Sequence, residues 1–352
     1  MNCEVDVATN VAVLGAGSWG TALAISLATS GHTVTLWARR SEAAVAMVRH
    51  RHNPSYLPEA VIPDAVRLTS DLEEAATRKE VWVIATPSHA VRALADRLAS
   101  FVTNHLIVVS VAKGIENETL LTTTQVLDDV LDPSVPTERI GVLYGPSHAE
   151  EVATGLPTTI VAAAPSRKVA EQIQALFMTP RLRVYVNDDL IGVEIAGSVK
   201  NVMAIAAGIG DGIGYGDNAK AAIITRGMAE IQRLGVAMGA QPATFAGLAG
   251  IGDLVVTCTS PHSRNRYLGE QIGQGKSLDE VQSEMQMVAE GVRTTASVRA
   301  LALRYQIEMP ITEAVYAILF EAKKPADAVH GLMTRSAKQE DWLPQALEDQ
   351  MS

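Results

Sequence analysis

The stretch Val11-Ala-Val-Leu-Gly15-Ala-Gly17-Ser-Trp-Gly20-Thr-Ala-Leu-Ala24 runs a short apolar strand into G-x-G-x-x-G and then into an alanine-rich helix. Each glycine has its own task in such a unit. Gly15 makes the tight turn, Gly17 lets backbone approach a pyrophosphate, and Gly20 lets the helix lie close on the strand. The first helical turn then aims its free N–H groups at the anion. Gly31 and a second apolar run at residues 33–38 follow at the spacing of a strand–helix–strand unit, so the stretch predicts a dinucleotide site on a parallel sheet.

Outward from that unit, apolar and β-branched runs recur at residues 81–86, 106–111, 140–144, 158–163 and 182–186, most of them separated by helix-compatible segments. Near-continuous apolar strands suit a mostly parallel sheet covered on both faces. Residues 1–190 are therefore expected to form one doubly wound α/β domain of the Rossmann type. The pattern changes at Asn187-Asp-Asp189. Beyond it, residues 193–209 are apolar nearly all round, with Glu194 and Lys200 the only charges, which is the signature of a core helix. Further helices are expected at 218–238, 242–257, 264–272 and 291–303, making residues 191–352 an all-helical domain. Loose tails are expected at residues 1–9 and 346–352.

Composition narrows the class. The 352-residue chain is 47% hydrophobic and 19% charged, a globular balance, and no run approaches the roughly 20 apolar residues of a membrane span. The N-terminus lacks the basic and apolar regions of a secretory signal, so a cytoplasmic location is expected. Cys3 and Cys258 have neither the spacing of a metal site nor the density of a disulfide scaffold, and no metal is expected. A formal net charge of −10 argues against a nucleic-acid surface. Small-residue faces in the helical half make a homodimer plausible.

Several residues carry chemistry. The second strand ends Trp37-Ala38-Arg39-Arg40, where an NAD-specific unit would place a carboxylate. Two cations there suit a 2′-phosphate and predict a preference for NADPH over NADH, with Glu42 the residue that could still reach a ribose. Lys200 places an ammonium in an apolar helix, where desolvation should lower its pKa towards values useful for proton transfer. Lys113 and the segment Gly145-Pro-Ser147-His148-Ala149 follow strands, at the carboxyl edge where open sheets bind ligands. Ser147 and His148 are adjacent and diverge, so backbone and hydroxyl contacts are expected rather than a catalytic pair. His89 reads as a loop-capping residue. Asp253 sits in a glycine-rich segment, and Ser263-Arg264-Asn265 at a helix start offers hydroxyl, guanidinium and amide donors to an anion, which implies a phosphorylated substrate. The glycine-rich 211–217 segment has too few carboxylates for a calcium loop. His50-Arg-His52 reads as surface loop.

Together these residues resemble the bacterial NAD(P)-dependent glycerol-3-phosphate dehydrogenases over residues 11–335. The similarity rests on Gly15-Ala-Gly-Ser-Trp-Gly20, Asn53-Pro-Ser-Tyr-Leu-Pro58, Lys113-Gly-Ile-Glu116, Gly145-Pro-Ser-His-Ala-Glu150, Val199-Lys-Asn201, Gly247-Leu-Ala-Gly-Ile-Gly-Asp253, Ser263-Arg-Asn265 and Val288-Ala-Glu-Gly291. The resemblance implies a Rossmann-type domain followed by a helical domain of the 6-phosphogluconate dehydrogenase-like kind. It also implies interconversion of dihydroxyacetone phosphate and sn-glycerol 3-phosphate, the backbone of phospholipids. It makes Lys200 the proton donor and acceptor, and sets Lys113, Gly145, Ser147, Asp253, Ser263, Arg264 and Asn265 around the substrate. Ser18, Trp19, Arg39, Lys113, Ala149, Arg264, Val288 and Glu290 would contact the cofactor, beside Gly15, Gly17, Gly20 and Arg40. Two rivals remain: a sister hydroxyacid dehydrogenase, and a catalytically silent dinucleotide-binding redox sensor that would not need Lys200.

Overall fold

The computed structural model describes residues 8–285 and 287–337. Its contacts divide the chain into two compact units, one formed by residues up to Ala112 with Thr123–Leu190, the other by Lys113–Thr122 with Ile191 onward. The sequence places a single boundary at residue 190. It misses that the ten-residue excursion carrying Lys113 packs with the helical unit, where Ile115 and Thr122 close it with an antiparallel bridge.

The first unit is built on ten strands: β1 (Asn10–Leu14), β2 (Thr33–Trp37), β3 (His52–Asn53), β4 (Leu57–Val61), β5 (Arg67–Thr69), β6 (Val81–Ile84), β7 (Ile107–Ser110), β8 (Ile140–Tyr144), β9 (Thr158–Ala163) and β10 (Leu182–Asn187). Eight form one sheet in the order β10-β9-β8-β7-β6-β1-β2-β5. All neighbouring pairs run parallel except β8–β9. Val11, Val13, Val34, Leu36, Val83 and Val109 lie in its core with the helix residues Leu23 and Leu27. β3 and β4 pair antiparallel outside that sheet. They correct the reading of His50-Arg-His52 as loop. His50 closes the helix Ser41–His50, Arg51 turns the chain with φ 53°, and His52 opens β3 with its ring bonded to the Pro58 carbonyl at 3.0 Å. Thr9 is not loose either, since it bonds His32 and Thr33 on the adjoining strand. Residues 1–7, with Cys3, and the predicted tail at 346–352 lie outside the described residues.

The second unit is α-helical and centred on the helix Leu190–Ile213. Ile195, Val199, Val202, Met203 and Ile205 of that helix meet Ile231, Leu254, Leu268, Val298 and Val315. At 24 residues the helix is long and apolar enough to cross a membrane, but 83% of its apolar window is buried inside the protein. It is a core element. The helix Arg264–Gly273 crosses it at close range. A Cβ on Gly208 would stand 2.0 Å from the Arg266 carbonyl oxygen, and one on Gly269 would stand 2.1 Å from that of Ile205. Only hydrogen at both positions lets the two backbones meet.

One expected helix is overturned. Residues 242–257 form a 3-10 turn (Pro242–Ala246), a π segment (Leu248–Gly252) and the helix Asp253–Thr259. Gly247 is extended, and Gly250 takes φ −90°, ψ −107°. Its missing side chain lets the backbone press onto Phe245, whose carbonyl oxygen would lie 2.1 Å from a Cβ there. The helices Leu278–Glu284, Pro310–Phe320 and Pro325–Met333 complete the unit with the helices Asp217–Ala237 and Glu290–Tyr305.

Candidate active site

In the first unit the glycine segment adopts the geometry its sequence requires. Gly15 has φ +129°, and a Cβ there would meet the Ala85 carbonyl at 2.6 Å; one on Gly20 would stand 2.0 Å from the Gly15 oxygen. A Cβ on Gly17, in contrast, would meet nothing within 4 Å. The loop is thus closed on the side of β6 and open at Gly17, where a phosphate needs room. Gly17 is the N-cap of the helix Ser18–Thr29 and places no side chain over its first-turn amides, the donors that Ser18, Trp19 and Gly20 would offer. These residues fit a dinucleotide pyrophosphate. Arg39 and Arg40 are exposed at the end of β2, and neither guanidinium is paired with a carboxylate among the described residues. Gly145, at φ +132°, ends β8, and Ser147 donates to its carbonyl at 3.0 Å; Ala149 opens the short helix Ala149–Ala153. His89 lies in the turn Ser88–Ala90.

The second unit gathers Lys200, Asp253 and Lys113. Lys200 is 6% exposed and Asp253 1% exposed. The Lys200 ammonium donates to Asp253 Oδ1 at 2.5 Å and to Thr257 Oγ1 at 2.6 Å, while Lys113 Nζ donates to Asp253 Oδ2 at 2.7 Å. The Thr257 hydroxyl spends its own proton on the Asp253 carbonyl at 2.6 Å, which leaves its lone pair for Lys200. Burial drives the Lys200 pKa down to about 8 against the opposing pull of Asp253; the Lys113 charge lowers it further. An ammonium has three donors, and the described residues take two of them.

The expected anion residues stand one helix away. Ser263 caps the helix Arg264–Gly273 by accepting from the Arg266 amide. Asn265 donates to Asn201 Oδ1 at 3.1 Å and accepts from the Gly291 amide at 2.9 Å, which ties this helix start to the residue beside Lys200 and to the start of the helix Glu290–Tyr305. Arg264 is exposed and donates to the Val288 carbonyl at 3.1 Å, so two residues named from the sequence as cofactor contacts meet each other. The sequence puts Lys113 just beyond a strand at the carboxyl edge of the sheet, and its ammonium pairs with Asp253 in the helical unit. Thr257 has no signal in the sequence, because its partner Lys200 lies 57 positions away. Asp211 is held by Lys220 and Arg266 at 2.8 Å each, a structural knot rather than part of a calcium loop.

A glycine cradle suited to a dinucleotide in one unit, and a buried lysine with lowered pKa beside phosphate-type donors in the other, define a nicotinamide-dependent dehydrogenase. The comparisons are specific. Residues 10–170 match the profile of the NAD-dependent glycerol-3-phosphate dehydrogenase N-terminus, and residues 189–330 that of its C-terminus. The chain belongs to this family. It is 63% identical over 343 residues to glycerol-3-phosphate dehydrogenase [NAD(P)+] 2 of Salinibacter ruber, covering 97% of this chain and 99% of that one. It is 54% identical over 331 residues to the enzyme of Chlorobium luteolum, covering 94% and 99%. The crystal structure of glycerol-3-phosphate dehydrogenase from Coxiella burnetii superposes with a TM-score of 0.89 at 39% identity, covering 93% of this chain and 99% of that one. A ketopantoate reductase from Ralstonia eutropha shares the fold alone, at TM-score 0.58 and 16% identity.

Proposed function

We propose that the chain reduces dihydroxyacetone phosphate to sn-glycerol 3-phosphate, reversibly, with Lys200 as proton donor and acceptor. The observation that carries this reading is the third donor of Lys200: a buried ammonium with pKa about 8, two of its protons committed to Asp253 and Thr257 and the third left for a substrate oxygen. Gly15, Gly17 and the Ser18–Gly20 amides would hold the nicotinamide cofactor, which would supply hydride chemistry for the ketone carbon. Lys200 gives its proton to the carbonyl oxygen as negative charge develops there and is left as the neutral amine; in the reverse direction it takes the hydroxyl proton back. Asp253 holds the amine against Thr257. Lys113 shares that carboxylate and keeps the neutral form of Lys200 accessible. Ser263, Arg264 and Asn265 supply donors for the phosphate, with Gly145 and Ser147 as further substrate contacts. Ala149, Val288 and Glu290 are cofactor contacts in the same reading. Arg39 and Arg40 favour the 2′-phosphate of NADPH. The assembly expected is a cytoplasmic homodimer, a state that sedimentation of the purified chain checks.

The test is the initial rate of NADPH oxidation with dihydroxyacetone phosphate, beside NADH and beside unphosphorylated dihydroxyacetone. Turnover confined to the phosphorylated ketone is expected, faster with NADPH, and lost in Lys200→Ala. Cofactor binding without turnover on any phosphorylated ketone would instead favour the silent sensor. Turnover on a carboxylate substrate alone would favour a sister dehydrogenase.

A further inference from the structure

We infer that Asn53 is a positioning residue for the cofactor: with Thr21 it holds the carbonyl side of the glycine loop inward, so that the loop's amides face the pyrophosphate. Asn53 is 3% exposed and Thr21 is fully buried. Asn53 Nδ2 donates to the Ala16 carbonyl at 3.0 Å and to Thr21 Oγ1 at 2.8 Å, spending both of its protons on this loop and the helix behind it. Thr21 Oγ1 passes its own proton to the Gly17 carbonyl at 2.8 Å, which also accepts the Thr21 amide at 3.0 Å. The carbonyls of residues 16 and 17 are therefore both engaged from behind.

In a planar trans peptide the C=O and N–H point in opposite directions. Fixing the Ala16 oxygen inward turns the Gly17 amide outward, and fixing the Gly17 oxygen does the same for the Ser18 amide. Gly17 leaves room for an anion, since a Cβ there would meet nothing within 4 Å. A glycine-rich loop has the greatest backbone freedom of any segment, and without such anchors an anion would have to order it on binding. The anchor is itself held. Asn53 Oδ1 accepts the Tyr56 amide at 3.3 Å, and Leu57 and Ala60 of β4 pack with Ala22 and Trp19 of the glycine-loop helix. The β3–β4 strap thus rides on the helix whose N-terminus receives the phosphate.

This inference rests on the dinucleotide reading above, and calorimetric titration with NADPH separates the two. Thr21→Val removes one hydroxyl at nearly constant volume, Thr21→Ser restores it, and Asn53→Ala removes both donors. Given the net worth of one or two buried hydrogen bonds, the Kd for NADPH is expected to rise about fivefold in Thr21→Val and about tenfold or more in Asn53→Ala. Thr21→Ser should stay within about twofold of the parent. The double variant should bind no worse than Asn53→Ala, because both side chains act on the same two peptides. In steady state the KM for NADPH should follow the Kd while the KM for the ketone does not. A purely structural role would lower the melting temperature of Thr21→Val and leave its Kd unchanged; that result overturns the inference. Failure of the parent protein to bind either nicotinamide cofactor would overturn the dinucleotide reading and the inference with it.

Discussion

A lysine with its ammonium out of water can hold or release a proton near neutrality, and Lys200 owes this to opposing neighbours. Burial and Lys113 lower its pKa, Asp253 raises it, and the balance falls at about 8. The direction of the reaction sets the sign of its pH dependence. With Lys200 in the proposed role, ketone reduction needs the ammonium, so kcat/KM for reduction should be level below about pH 8 and fall above it, whereas alcohol oxidation needs the amine and should rise towards the same value. Asp253→Asn removes the raising charge and keeps Lys113, so the falling limb of reduction should move to lower pH. A pH–rate profile checks both statements, and a limb that stays in place would remove Asp253 from this role. The sequence made Lys200 legible because a charge stands out in an apolar helix. Thr257 and Asn53 were not legible in the same way. Each acts through partners that only the fold brings near, Thr257 through Lys200 and Asn53 through Ala16 and Thr21.

At the scale of elements, the distance between the proposed proton donor and the proposed anion site is set where the helices Leu190–Ile213 and Arg264–Gly273 cross. Gly208, Gly212 and Gly269 are all close points of that crossing, and the helical carbonyls they face cannot move without breaking a helical bond. Gly208→Ala should therefore destabilise the protein by at least the 1–3 kcal/mol typical of overpacking and raise the KM for the phosphorylated ketone, because Ser263, Arg264 and Asn265 ride on the displaced helix. Gly210 lies on the same helix but would put its Cβ 3.6 Å from Ile223, an ordinary contact. Gly210→Ala should accordingly stabilise by about 0.5–1 kcal/mol through helix propensity. Urea midpoints of the two variants decide this; equal shifts would mean that the crossing is not tight. Periodicity found the seven strands that read as apolar runs and the buried core helix, because burial on both faces leaves a continuous signal. It missed β3, β4 and β5, which are short and carry His52, Glu59 and Arg67 on outer faces. It also ran one helix through Gly247 and Gly250, whose backbone angles end it.

For the whole molecule, two buried charges bend the stability curve in opposite senses. Glu230 is 1% exposed and accepts from the Ile311 and Thr312 amides and the Thr312 hydroxyl, capping the helix Pro310–Phe320. Burial raises its pKa from 4.5 to about 7, although those hydrogen bonds pull it back. Between these values the folded state binds more protons than the unfolded one, so stability present below pH 4.5 is lost as pH rises through about 7. The linked loss is on the order of 3 kcal/mol. Lys200 has the reverse sign. Its pKa falls from 10.5 to about 8, so the folded state binds fewer protons in that window and stability recovers as pH rises across it. The two groups together place a stability minimum between about pH 7 and pH 8, where Lys200 would also exchange its proton in the proposed reaction. Melting temperatures from pH 4.5 to 10.5 test the pair separately. Glu230→Gln should flatten the acidic limb and leave the alkaline one, while Lys200→Met should flatten the alkaline limb alone. Variant curves that merely run parallel to the parent would show that neither group carries the pH dependence of the fold.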